Sequence, residues 1–348
     1  MTTLWDTTGT AVLKALSAER RKAGSVSSGL ALTLVVVVEE GRVDEAEQAA
    51  TRAAAEHPCR LIIVVRRRPG APEARLDAEV LIGGRLGPGE AAVLRMYGRL
   101  ALHAESVVLP LLAPDAPVVT WWFGRPPTLI AHDPLGVLAD RRVTDVSLAE
   151  DPHEALRQRA DDYAPGDTDL AWTRATSWRA LCASAYDSID RPARSAVVRG
   201  APGPTRELIA GWLRAGLEVP VECADTSDGM SEVRIELGDG PDGADEVRIQ
   251  RQDGRTALLS RTGQPDRRMP LEPRELGDLL AEELRRLDAD ETYARALAHA
   301  TGAPDLSERP VKRSHVWHDP TEAEDPDPAL TTSCADAHDR CPHARRRA

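Results

Sequence analysis

The chain has 348 residues, 42% of them hydrophobic and 29% charged, which suits about two globular domains, each with its own core. Its formal net charge of −12 argues against a protein built to hold nucleic-acid phosphates, and no nucleic-acid partner is expected. No stretch reaches the ~18 consecutive apolar residues of a membrane helix, and residues 1–9 lack a basic segment ahead of an apolar one, so the expectation is a cytoplasmic chain with no membrane role.

The first element is a helix over residues 10–21, with Val12, Leu13 and Leu16 at helical spacing. Residues 30–38 are almost continuous β-formers, which suits a strand covered on both faces of a parallel sheet. Gly41 closes it, and an Ala- and Glu-rich helix follows over residues 43–56, stopped by His57 and Pro58. A second apolar strand over residues 60–65 completes a βαβ unit, whose crossover should be right-handed. A third strand is predicted over 76–82, while residues 90–97 fit a strand or a helix equally. Residues 100–112 read as one helix, 117–122 as a strand ending in Trp121 and Trp122, and 143–148 as a short strand before the helix that Pro152 opens.

Residues 168–187 read as helical, 195–199 as a strand, 204–215 as a helix and 217–222 as a strand. Alternating runs at 232–237, 246–250 and 257–260, joined by Gly-rich turns, predict an antiparallel meander with one wet face. Helices near 272–287 and 291–300 close the folded part, and residues 319–348 are poor enough in large apolar groups to predict disorder. The expected fold class is therefore α/β. A mixed, mostly parallel sheet with flanking helices occupies residues 1–165, a second α/β part with the meander residues 166–301, and a disordered tail residues 302–348.

A search for chemistry finds little. Gly83, Gly84, Gly87 and Gly89 come nearest to a dinucleotide fingerprint, but the spacing differs and Pro88 removes an amide, so a turn leaving a strand is the plainer reading. There is no Walker phosphate loop, no Gly-x-Ser-x-Gly elbow and no His-Glu-x-x-His helix, so no catalytic residue and no cofactor is implied. Five widely spaced cysteines do not form a disulfide framework. Cys182 and Cys223 lie on apolar faces, where an inert thiol is the default. Cys334 and Cys341, interleaved with His338 and His343, could hold a metal or act in redox chemistry, but their spacing matches no usual zinc pattern.

Two patterns stand out. Arg141 and Arg142 could form a guanidinium fork for carboxylate or phosphate, as in a sugar-phosphate sensor; pairing of one of them with Asp140 or Asp145 to fix a loop is the commoner use. Farther on, Trp178, Leu181, Cys182 and Ala185 form a helical core stripe, whereas Trp172, Arg174 and Arg179 need not lie on that face. Trp and Arg dominate interface hot spots, so Arg141, Arg142, Trp172, Arg174, Trp178 and Arg179 are the candidate partner-binding residues.

Long motifs then point to a family. Residues 106–122, ending in Trp121 and Trp122, Asp133 to Gly136 with Asp140, Arg141 and Arg142, and Asp169 to Arg174 with Trp178 and Arg179 resemble the actinobacterial glucose-6-phosphate dehydrogenase assembly protein family (OpcA) over roughly residues 1–300. The resemblance implies a non-catalytic partner of glucose-6-phosphate dehydrogenase that supports its assembly or activity, allosterically and in response to redox state in some members. It supplies no catalytic residues.

Overall fold

The computed structural model describes residues 1–22, 24, 30–83, 89–187, 189–240 and 243–311. A short strand β1 (Thr2–Leu4) precedes helix α1 (Gly9–Lys22), and the expected βαβ unit follows as β2 (Leu32–Val38), α2 (Val43–Glu56) and β3 (Cys59–Arg67). β4 (Arg75–Ile82) and β5 (Glu90–Tyr97) form an antiparallel pair, which resolves residues 90–97 as a strand. The Gly83 N–H donates to the Gly89 carbonyl at 3.0 Å where the two strands join; the glycine cluster's residues 84–88 lie outside the described residues.

The single helix expected over 100–112 is instead α3 (Arg99–Leu102), α4 (Ala104–Val108) and a 3-10 turn, Leu109–Leu111, carrying Pro110. β6 (Val118–Phe123), α5 (Pro134–Val137) and β7 (Arg141–Thr144) come next. The strand expected over 143–148 thus starts earlier and gives way to a 3-10 turn at Val146–Leu148, because the Asp145 carboxylate accepts from the Ser147 N–H and caps a turn there. α6 (Pro152–Asp161) leads to β8 (Asp167–Asp169), α7 (Leu170–Arg174) and α8 (Thr176–Tyr186), so the long helix expected over 168–187 begins as strand and breaks at Ala175.

The rest is β9 (Ala193–Gly200), α9 (Pro204–Leu217), β10 (Val221–Asp225), β11 (Met230–Gly240), β12 (Gly243–Arg251), β13 (Thr256–Arg261), β14 (Gln264–Pro270), α10 (Leu276–Leu284) and α11 (Glu291–Thr301).

The first sheet has eight strands in the order β1-β4-β5-β3-β2-β6-β7-β8, and from β5 to β8 every neighbouring pair is parallel. Counted by appearance among those parallel strands, the order is 3-2-1-4-5-6, that of a doubly wound dinucleotide fold. Alternate residues of β2 and β3 face opposite layers. Leu34, Val36, Leu61 and Ile63 pack with α2 and α10; Val35, Ile62 and Val64 pack with α1 and α4. This two-sided burial is why the strands read as continuous apolar runs.

The second sheet has the order β10-β9-β11-β12-β13-β14. Only β9 and β10 are parallel, joined through α9, and the meander runs antiparallel from β11 to β14. Its inner face packs on Trp178 and Cys182 of α8 and on Ile209 and Leu213 of α9. Arg234, Glu236, Arg248 and Glu246 form ion pairs on β11 and β12.

After the meander the chain returns to the first sheet, where Leu279, Leu280 and Leu284 of α10 cover the face beside α2. The contact needs Gly277, because a Cβ there would sit 2.7 Å from Arg52 Cβ. The chain stays on the fold past the expected end of order at residue 301, since Leu306 is wholly buried beside Tyr163 and Leu297. The tail from residue 312 lies outside the described residues. No described helix is long and apolar enough to cross a membrane.

Candidate functional site

β7, β8, α7 and α8 bring the six candidate residues into one region, where they take different roles. Arg142 is completely buried. Its Nε donates to Asp167, and its Nη2 donates to the Pro165 carbonyl at 3.0 Å. Arg141, 2% exposed, donates from Nη2 to Glu283 and from Nη1 to the Asp288 carbonyl at 2.8 Å. These are the intramolecular pairs that the sequence suggested, with other partners: Glu283 and Asp167 replace Asp140 and Asp145. Glu283 also accepts from Thr173 Oγ1 at 2.6 Å, so one buried carboxylate ties β7 and α7 to α10.

Arg174 grips Asp145 with both terminal nitrogens, at 2.7 and 2.6 Å. Burial works to lower the Arg174 pKa, but the Asp145 hydrogen bonds and charge hold it above its ordinary value. Behind them Asp169 is driven up to about 6, first by burial and then by the Asp145 charge. It caps α7 by accepting from the Ala171 N–H at 2.8 Å.

Trp172 is buried, with its Nε1 donating to Asp290 at 2.9 Å and its ring centroid 5.9 Å from that of Tyr293. Arg179 lies over that indole, its Cζ 3.4 Å from the ring centroid, and Nη2 donates to Thr176 Oγ1 at 3.0 Å. Among the described residues Arg179 has no carboxylate partner, and its Nε is buried without an acceptor. Burial lowers its pKa, offset in part by the charges of Asp290, Glu282 and Glu283. Trp178 faces the other way, into the core of the second sheet.

A cleft of about 330 Å³ opens over Arg141, Trp172 and Arg179, walled by Trp212 from α9 and by Glu282, Arg285, Arg286 and Asp290. Arg285 and Arg286 are exposed. Sequence reasoning missed Trp212, Glu283, Arg285, Arg286 and Asp290. They sit far along the chain from residues 141–179, and no local pattern links them.

The arrangement offers charged and aromatic surface. Burial raises the Cys59 and Cys182 thiols to about 12, which keeps them protonated, and it raises Cys223 as well. Among the described residues no group of three His, Cys, Asp or Glu side chains is placed to hold a metal ion. Cys334 and Cys341 lie outside the described residues. At the switch point between β2 and β6, the turn after β2 carries Glu39 and Glu40 in place of a glycine fingerprint, and Arg42 lies 3.9 Å over the Phe123 ring. Glu40 accepts from Arg95 Nε at 2.9 Å. The turn therefore lacks the glycine pattern that lets the backbone of such a fold approach a pyrophosphate closely.

Two family models match the chain. One is described as the glucose-6-phosphate dehydrogenase subunit N-terminal domain, over residues 50–161, and the other as its C-terminal domain, over residues 165–297. The chain belongs to the OpcA family of glucose-6-phosphate dehydrogenase subunits. The family domains indicate a role in assembly of that dehydrogenase. No curated protein matches the chain.

Solved structures that the chain matches distantly include the 3-ketoreductase KijD10 from Actinomadura kijaniata, at 11% identity and a TM-score of 0.42, covering 78% of this chain and 96% of that one. An NAD-binding oxidoreductase from Klebsiella pneumoniae, at 10% identity and a TM-score of 0.41, covers 81% and 98%. An oxidoreductase from Sinorhizobium meliloti, at 9% identity and a TM-score of 0.41, covers 78% and 95%.

Proposed function

We propose that the chain is a non-catalytic assembly factor and allosteric activator that binds glucose-6-phosphate dehydrogenase in the cytoplasm and supports its oligomerisation or activity, at the entry to the oxidative pentose phosphate pathway. The family membership supports the partner. The contact is the rim of the cleft over Trp172, with Arg179, Arg285 and Arg286 meeting acidic groups of the dehydrogenase. Arg141, Arg142 and Arg174 hold that rim in place through Glu283, Asp167 and Asp145. Trp178 anchors α8 to the second core.

One observation carries the choice of surface: a half-buried guanidinium is fixed on an indole face and, among the described residues, has no carboxylate of its own. Such a group is pre-organised, so a partner carboxylate gains a charge-assisted hydrogen bond with little further ordering. The alternative, a sugar-phosphate sensor built on Arg141 and Arg142, has less support, because both guanidinium groups are buried and bound to internal acceptors.

Binding that favours the active state of the dehydrogenase shifts its population toward that state. The test is co-purification with the dehydrogenase of the same organism, followed by an activity titration. Co-elution with a lower KM or a higher kcat supports the reading. No co-elution and an unchanged assay at saturating protein would defeat it.

A further inference from the structure

A second cleft, of about 390 Å³, lies on the side of α8 that carries Ser177 and Trp178. It forms at the carboxyl end of β9, where the turn from Gly200 to Gly203 leads into α9. Carboxyl ends of parallel strands are where α/β folds most often receive ligands. Its lining holds four arginines, Arg174, Arg206, Arg251 and Arg274, and one carboxylate, Glu272.

Three of these arginines have their own acids: Asp145 for Arg174, Glu207 and Asp225 for Arg206, and Glu282 for Arg274. Arg251 differs. It donates from Nε to the Met230 carbonyl at 3.1 Å and from Nη1 to the Leu271 carbonyl at 3.3 Å. Among the described residues it forms no ion pair, and its Nη2 donates to no described residue. Its Cζ stands 5.5 Å from the Trp178 ring centroid.

The carbonyls therefore hold a partly buried cation in place without neutralising it, so the local balance of charge favours an anion. The start of α9 adds donors. Its cap is Gly203, which has no side chain to accept from the first turn, and Pro204 follows. The Thr205 and Arg206 amides at that end have no acceptor within the helix. Trp178, Met230 and Leu271 give the cleft an apolar wall.

We propose that this cleft binds a small phosphorylated metabolite, with the phosphate held by Arg251 and the first-turn amides of α9 and the carbon skeleton laid against the partly exposed Met230. A phosphate monoester suits the donors better than a carboxylate, because its three terminal oxygens can accept from the guanidinium and from the helix end together. The proposed dehydrogenase contact lies on the other side of α8, and this cleft is argued from different residues, Arg251 and the start of α9.

The experiment is calorimetric titration of the full chain, at low ionic strength, with glycerol 3-phosphate and with glycerol as the uncharged control. Saturable binding of the ester, at least tenfold tighter than glycerol, is expected. Arg251→Gln and Ser177→Asp should each weaken it at least tenfold. Ser177 sits in the first turn of α8, where a carboxylate favours the helix, so Ser177→Asp places a negative charge in the cleft wall without opposing the fold. If Arg251→Gln fails to fold, the Ser177→Asp titration decides alone. Ester binding no tighter than glycerol, or ester binding untouched by Ser177→Asp, overturns the proposal.

Discussion

Arg179 lies on the face of Trp172 at 3.4 Å, and the same indole donates from its edge to Asp290 at 2.9 Å. One side chain thus fixes both a cation above its ring and an anion in its plane. The stack joins α8 to the start of α11, since Asp290 caps that helix by accepting from the Tyr293 N–H. A cation–π contact of this kind contributes about 0.5–2 kcal/mol, depending on desolvation, enough to hold one rotamer of a long side chain at the rim.

The dehydrogenase contact should therefore respond more strongly to the sign of the charge at residue 179 than the fold does. Arg179→Glu is expected to weaken binding of the partner at least tenfold, with Arg179→Lys intermediate because it keeps the charge and loses the planar fork. Arg286→Glu, at an exposed position, should slow association and steepen no part of the melting curve. Surface plasmon resonance at two salt concentrations, beside thermal melts of each variant, measures both effects. Unchanged affinity in Arg179→Glu with an intact fold counts against the proposed surface.

Arg142 is the opposite kind of arginine. It is completely buried, bound to Asp167, and near the Ala139, Ala164 and Pro165 carbonyls. Arg142→Ala leaves Asp167 buried without its partner and is expected to lose about 3–5 kcal/mol of stability. Replacing both, as Arg142→Met with Asp167→Leu, should recover part of that loss, because neither charge is then left alone. Urea unfolding of the two variants against the parent decides whether the pair acts as a unit.

The crossing of α9 and α11 gives a third outcome. A Cβ at Gly211 would sit 2.1 Å from the Ala296 carbonyl oxygen and 2.8 Å from the Ala300 nitrogen. Gly211→Ala raises helix propensity, yet the helices must part, and overpacking of this kind costs about 1–3 kcal/mol. A net fall in melting temperature is expected; a rise would show that the crossing tolerates a methyl group.

Much of the fold could be read from local pattern. The runs at 30–38 and 60–65 announced parallel strands because both faces are buried, and the alternation of Glu232 to Leu237 announced the meander because one face is wet. Short elements escaped. β8 is Asp167, Thr168 and Asp169, three polar residues that form a strand because β7 offers a free edge and Arg142 and Thr144 supply buried partners for the carboxylates. Propensity alone could not reveal that.

The site was half legible for the same reason. Trp172, Arg174 and Arg179 stand close together in sequence and were singled out by residue type. The partners that assign their roles, Glu283, Asp290 and Trp212, arrive from α9 and the segment around α10. Burial separates Arg142 from Arg179 more sharply than residue type does, and burial is a property of the tertiary fold.

Asp162 provides a pH test. Burial, and then the Asp167 charge, raise its carboxyl from 3.8 to about 7, against which Arg159 and the Ala131 and Ile130 amides pull only in part. Between pH 3.8 and about 7 the folded chain therefore keeps a proton that the unfolded chain has released. The unfolded state binds fewer protons in that window, so this group's contribution to stability falls as pH rises through it and levels off above the folded pKa. Asp162→Asn removes the titration while leaving an oxygen to accept from the Ala131 N–H, now 3.4 Å away. Relative to the parent, the variant should gain stability steadily from pH 4 to pH 7, by roughly 2–4 kcal/mol. Asp169, raised to about 6, keeps its own share of the slope in both proteins, so the slope shrinks without vanishing. Urea midpoints at half-unit pH steps measure the difference, and a variant curve parallel to the parent's across that window would mean that Asp162 stays ionised in the folded chain.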